Sequence, residues 1–252
     1  MSARVYLLES KYEVIKMLRL PAFVVPTIGF PLMFYVLFGL VMPSGNASAV
    51  QVSSYLLATY GAFGVIGISL FALGVGVATE RGQGWLAVKR ASPMPVSAYF
   101  FGKYAMTVLF AMVLVALLSL LGVVFGHVHL TASRWVAVVA VLVLGGLPFC
   151  AMGLAVGYIA GPNSAAAVVN AIYLPMAFLS GLFIPASMLP KSLQQVAVIF
   201  PPYHLGQFAL KAAGVLPPTG VWTNATALIG FGVFFSALAL LAYRRDEGKT
   251  YG

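Results

Sequence analysis

Long unbroken apolar runs, separated by short polar segments, set the first reading of this chain. The runs fall at about 21–42, 52–78, 104–125, 135–160, 165–184 and 222–243. Each is near the roughly 20 residues that a helix needs to cross a bilayer. None shows the alternating polarity of a barrel strand. Backbone in lipid must satisfy its own hydrogen bonds, so unbroken runs of this kind select helices. The predicted fold is all-α, a single transmembrane domain over 1–252 with six spans. Residues 1–20 mix Arg4, Glu9, Lys11, Glu13, Lys16 and Arg19 with Val5, Leu7, Leu8, Val14, Ile15, Met17 and Leu18, which predicts an amphipathic helix on the membrane surface. In the polar segment 80–95, Trp85, Val88 and Lys89 recur at helical spacing, and Ser92-Pro93 would stop a short helix. Over 185–218, Pro185 and Pro190 break the fifth run. Leu193, Val196, Ala197 and Phe200, then Leu205, Phe208, Ala209 and Ala212, repeat at helical spacing in pieces too short to cross. That pattern predicts a re-entrant hairpin, which persists only where protein or a water-filled cavity covers it.

Composition narrows the class. Of 252 residues, 62% are hydrophobic and 8% charged, against roughly 25% charged in a soluble domain. The solvent for most of this chain is therefore lipid. The net charge of +9 is read as loop bias and not as a nucleic-acid footprint, because no basic cluster outside the spans carries interleaved aromatics. With the N-terminus inside, the inner segments hold eleven Lys and Arg and the outer segments three, namely Arg134, Lys191 and Lys211. This predicts that both termini face the cytoplasm. Ala47-Ser48-Ala49 resembles a leader cleavage site, but the preceding apolar run is too long and follows acidic residues.

Candidate chemistry is sparse. By these boundaries no ionisable residue lies inside a span, which argues against a proton- or sodium-driven pump. The only acids are Glu9, Glu13, Glu80, Asp246 and Glu247, all near the predicted inner face, which argues against an intramembrane enzyme built on paired carboxylates. His127 and His129 are too few to assign a metal site. Cys150 is single and has no disulfide partner. Gly61, Gly64, Gly67, Gly74 and Gly76 would let the second span approach its neighbours closely. Asn46-Ala47-Ser48 and Asn224-Ala225-Thr226 match a glycosylation pattern that is too common to carry weight.

Glu80-Arg81, then Gly84-x-Leu86, then Ser92-Pro93-Met94-Pro95, with Gly102-Lys103 opening the next span, resemble the coupling-helix region of type-2 ABC exporter permeases. Ser180-Gly181 through Pro190, with Pro201 beyond, is similar to the outer hairpin of that family, and the order of elements matches along the whole chain. Gly82 and Ala87 stand where family members often carry acids, and the turn Gly161-Pro162-Asn163 is short. The resemblance implies a bacterial inner-membrane exporter of drugs, antibiotics or lipid-like molecules. A second permease chain, identical or related, and two copies of a cytoplasmic ABC ATPase would complete it. No Gly-x-x-x-x-Gly-Lys-Ser/Thr loop is present, so this chain needs no cofactor of its own, and ATP and magnesium belong to the partner. The resemblance assigns ATPase coupling to Glu80, Arg81, Gln83, Trp85, Leu86, Val88, Lys89 and Arg90. It places Phe34, Tyr35, Phe38, Tyr60, Phe71, Phe178 and Phe183 along a substrate path, and Pro185, Met188, Pro190 and Phe200 at an outer gate. A polysaccharide exporter and a non-transporting membrane scaffold are the alternatives.

Overall fold

A computed structural model of the chain describes residues 3–42, 48–92 and 94–247. All regular structure among them is helical. The helices are α1 (Ala3–Leu18), α2 (Pro21–Val41), α3 (Val50–Gly82), α4 (Trp85–Ala91), α5 (Val96–Val124), α6 (Ala132–Ile159), α7 (Ala165–Leu179), α8 (Lys191–Ala197), α9 (Pro201–Ala212) and α10 (Val221–Glu247). A 3-10 turn, Ala186–Met188, precedes α8. Five of these helices, α2, α3, α5, α6 and α10, are long and apolar enough to cross a membrane.

The fifth predicted run behaves differently. Its helix, α7, has 15 residues and rises about 22 Å, short of a hydrocarbon core of about 30 Å. Of the six expected spans, five have helices long and apolar enough to cross, and the remaining one is this short apolar helix. Gly181 ends α7 in the left-handed region, at φ 76°. Its N–H donates to Phe178 O and the N–H of Leu182 to Ala177 O, the paired closure of a Schellman motif. A side chain at Gly181 would meet Ala186 at 2.9 Å, so the turn into the hairpin needs glycine twice over.

The helix α3 is the axis of the bundle. In its most apolar stretch 83% of residues are buried, against 22% in α2 and 17% in α10. Two glycines of α6 let backbone meet backbone there. A Cβ on Gly153 would lie 2.8 Å from Ser69 O, and one on Gly157 2.7 Å from Leu73 O. The contact falls beside a π-helical turn in α3, Phe71–Val75. Two more π-helical stretches, Val25–Gly29 and Tyr35–Val41, interrupt α2, where Pro26 and Pro31 withhold the N–H donors of a regular helix. At the other end of the bundle α1 packs on α5, and α10 packs mainly on α6. The helix α5 begins at Val96, after extended Pro95, so it starts well before the run predicted at 104. Lys103 therefore lies within the helix, as Glu80 and Arg81 lie within α3.

Candidate functional site

The acidic residues Glu9 and Glu13, four apart on α1, share a helix face with Lys16 close by. That face meets the end of α3 and the first turns of α5. Lys103, 0% exposed, donates to Glu13 Oε2 at 2.9 Å and to Glu80 Oε1 at 2.6 Å. Lys16 donates to Glu13 Oε2 at 2.5 Å and also to Glu80. Lys89 of α4 reaches Glu9 Oε1 at 2.5 Å and Glu13 Oε1 at 3.2 Å. The Tyr99 hydroxyl donates to Glu80 Oε2 at 2.8 Å, and the ammoniums of Lys89 and Lys103 lie 4.6 and 5.3 Å from its ring centre. Three lysines thus balance three glutamates across α1, α3, α4 and α5, in a network whose centre, Glu13, Glu80 and Lys103, is buried. Gly102 makes the approach possible, since a Cβ there would lie 2.9 Å from Glu9 Cγ and 3.3 Å from the α1 backbone.

The network sets its own electrostatics. Burial alone would push the Glu13 carboxyl up, but the Lys103 and Lys16 ammoniums outweigh it and hold it below its ordinary value. Burial would likewise pull Lys16 down, and Glu80 and Glu13 instead hold it above its ordinary value. Lys89 is raised in the same way, against its burial, by its hydrogen bond to Glu9 and the charges of Glu13, Glu80 and Glu9.

Arg81, one residue along α3 from Glu80, turns to the other side. Its Nε and Nη2 donate to Asp246 Oδ1 of α10 at 3.1 and 2.6 Å. Its Nη1 donates to Gly157 O at 2.7 Å and Ala160 O at 3.3 Å, at the end of α6. Glu80 and Arg81 therefore clasp opposite sides of the bundle. Glu80, Arg81 and Lys89, expected in the ATPase-coupling set, hold their charges in these pairings within the chain, because burial without them would be too costly. In α4, Leu86 is buried and Lys89 is tied down, while Trp85 and Val88, three residues apart, stand 55% and 60% exposed. Gln83 is exposed in the turn before α4. The side chains of Ala87 and Arg90, and all of Pro93, lie outside the described residues.

At the opposite end of α3 a cavity of about 1060 Å³ opens. Phe34 and Phe38 of α2, Tyr60 of α3, Phe178 of α7 and Phe183 line it together. Phe178 stacks on Phe183 at 4.4 Å, and Phe34 meets Phe183 edge-on at 5.8 Å. Pro185 and Met188 complete one wall, and the Tyr55 hydroxyl, also in the lining, donates to Gly181 O at 3.2 Å. Two residues of the expected path are elsewhere. Tyr35 is fully buried, with its hydroxyl near Gly122, and Phe71 lies deeper, against Tyr173. Of the expected gate, Pro190 and Phe200 are not in the lining. Residues 43–47, with Ala47 of the leader-like pattern and Asn46 and Ala47 of the first glycosylation-like pattern, lie outside the described residues. Among the described residues no three His, Cys, Asp or Glu are placed to hold a metal ion.

Sequence reasoning missed the roles of Glu9, Glu13, Lys16, Tyr99 and Lys103, and that of Arg134 at the cavity. The available signal was the scarcity of acids. With all five near the predicted inner face, each was a candidate partner for a basic residue there.

Five helices long and apolar enough to cross a membrane, locked at one end by an ion network and opening on an aromatic cavity at the other, are those of an integral membrane protein. Residues 6–213 match the ABC-2 type transporter family, and the chain belongs to it. A curated relative from Bacillus subtilis (strain 168), described as "Putative transport permease YvfS", is 26% identical over 239 residues, covering 95% of this chain and 97% of that protein. The chain is thus a transport permease of the ABC-2 family and a transport subunit in kind.

Proposed function

We propose that this chain is the membrane subunit of an ATP-driven exporter for hydrophobic or amphipathic molecules, working as a pair of permease chains with two copies of a separate ATPase. The observation that carries the reading is α4. Its inner side is pinned by Leu86 and by Lys89 on Glu9 and Glu13, while Trp85 and Val88 project from a rigid seat. A surface indole on a short helix between two spans suits insertion into a cleft of a soluble partner, as large aromatic anchors do at interfaces. The family implies an ABC ATPase as that partner, which makes α4 the coupling helix and α1 the elbow helix. In this reading the termini face the cytoplasm, the membrane is the bacterial inner membrane, α7 is the sixth membrane element, and the segment from Pro185 to α9 lids the cavity. ATP and magnesium act on the partner. The aromatic cavity favours this cargo class over polysaccharide.

The test is co-purification of the chain with its ATPase, followed by hydrolysis measured with candidate cargo. A Trp85→Ala, Val88→Ala double variant should lose assembly or cargo-stimulated hydrolysis, since truncating such anchors costs about 2 kcal/mol or more. Unchanged assembly and unchanged stimulation would make α4 a surface loop and remove the basis of the reading.

A further inference from the structure

The cavity is not uniformly apolar. Arg134, in the first turn of α6, is among the residues that line it and is exposed to water there. Its guanidinium is seated on Gly214, where a Cβ would lie 2.4 Å from Nη1, and Gly214 is held in the left-handed region at φ 74°. The charge is therefore placed by the fold. It is also uncompensated by the chain. Of the five acidic residues, Glu9, Glu13 and Glu80 are engaged in the lysine network and Asp246 holds Arg81. Glu247 follows Asp246 at the same far end of α10. The cavity end of the bundle carries Arg134, Lys191 and Lys211 and no acid.

An occupant that fills such a cavity strips water from the guanidinium. A neutral apolar molecule would leave that charge desolvated, and a cationic one would add repulsion. Only a ligand bringing its own anionic oxygens compensates, and carboxylate or phosphate oxygens match the guanidinium fork. We infer that the cavity takes an amphipathic anion, with its acidic head on Arg134 and its apolar body against Phe34, Phe178 and Phe183. The inference rests on the transport reading above and narrows its cargo class. The same chemistry is offered by a soluble acyl carboxylate and by an anionic phospholipid of the bilayer.

The test uses the purified chain in phosphatidylcholine nanodiscs, without any ATPase, and a dansyl-labelled undecanoic acid beside its methyl ester. The acid should bind about ten-fold more tightly than the ester, equivalent to about 1.4 kcal/mol. Arg134→Gln should abolish that preference, weakening the acid while ester affinity holds or rises as the cost of covering the charge is lost, and Arg134→Lys should keep part of it. In the wild-type chain the preference should also vanish as the pH is lowered until the probe is protonated, which needs no variant to fold. Nanodiscs containing phosphatidylglycerol separate the sources. Displacement of the probe that requires Arg134 identifies the lipid as occupant, and undiminished probe binding identifies a ligand delivered separately. Equal binding of acid and ester, or a preference that survives Arg134→Gln, overturns the inference. Because the readout is binding to the chain alone, its failure would leave the transport reading standing, and failure of the α4 test would leave this inference standing.

Discussion

Lys103→Met is the sharpest perturbation of the charged end. Methionine keeps nearly the same length and volume, so the change removes charge and hydrogen bonds and little packing. In the native bundle Lys103 is 0% exposed and bridges Glu13 and Glu80 at 2.9 and 2.6 Å. After the change Glu13 keeps Lys16 and Lys89, and Glu80 keeps Lys16 and Tyr99. Three carboxylates then face two ammoniums, and one buried negative charge is uncompensated. Breaking a buried pair on one side costs about 3–5 kcal/mol, and the surviving partners place this case near 3. For a chain of this length that is a fall of about 6–12 °C in melting midpoint, readable as loss of the monodisperse peak after heating in detergent. The double variant Lys103→Met, Glu80→Gln restores three-to-three balance as two-to-two and should recover at least about 1 kcal/mol relative to additivity, as contacting residues do in a double-mutant cycle. A Lys103→Met protein as heat-stable as the parent, or a double variant whose losses simply add, would refute the network's role.

The same network predicts a pH window. Glu13 is lowered from an ordinary 4.5, so its stabilisation is complete above 4.5 and is lost as pH falls through the lower folded value; Lys16 is raised from 10.5, so its contribution holds below 10.5 and is lost as pH rises through the higher one. Melting midpoints in detergent should therefore be flat between about pH 5 and 10 and decline on both sides, and a maximum confined to acid pH would contradict the assignment. Gly157→Leu should separate α6 from α3, because even a Cβ would lie 2.7 Å from Leu73 O; a loss of about 2–3 kcal/mol is expected from overpacking, and normal yield and melting of the variant would show that the helices can part without cost.

How much of this was legible in the sequence depends on the range of the interaction. The spans at 21–42, 52–78, 135–160 and 222–243 could be read locally, because one apolar run makes one helix. The start of α5 could not, because Gly102-Lys103-Tyr104 looks like a polar boundary until Lys103 is seen to have two carboxylates waiting for it. The end of α7 was hidden in Gly181, whose left-handed turn stops a run that stays apolar through Ile184. The bonds that tie α1 to the rest of the ion network join residues 64 to 90 positions apart, so no periodicity could announce it. The aromatic set was legible as a class but not in its membership. Phe34 and Tyr35 are neighbours on α2, and the turn between adjacent helical residues sends one into the cavity and the other to Gly122.

The two ends of the molecule are connected by one element. The helix α3 carries Tyr55 and Tyr60 at the cavity and Glu80 and Arg81 at the clasp. Its 33 residues span about 50 Å. A push on α4 cannot be absorbed locally, because Lys89 binds α4 to α1 and the turn at Gly82–Gly84 leaves almost no slack before α3 begins. Displacement must therefore pass into α1, α3 and α5 together, the helices whose charges interlock. Only one place along α3 departs from regular geometry, the π-helical turn Phe71–Val75. It lies against Gly153 and Gly157, which put no side chain between the two backbones. On the proposed reading, in which an ATPase acts on α4, a bundle clamped at one end, packed glycine against backbone at mid-height and hollow at the other would turn a push at α4 into a change of shape at the aromatic wall.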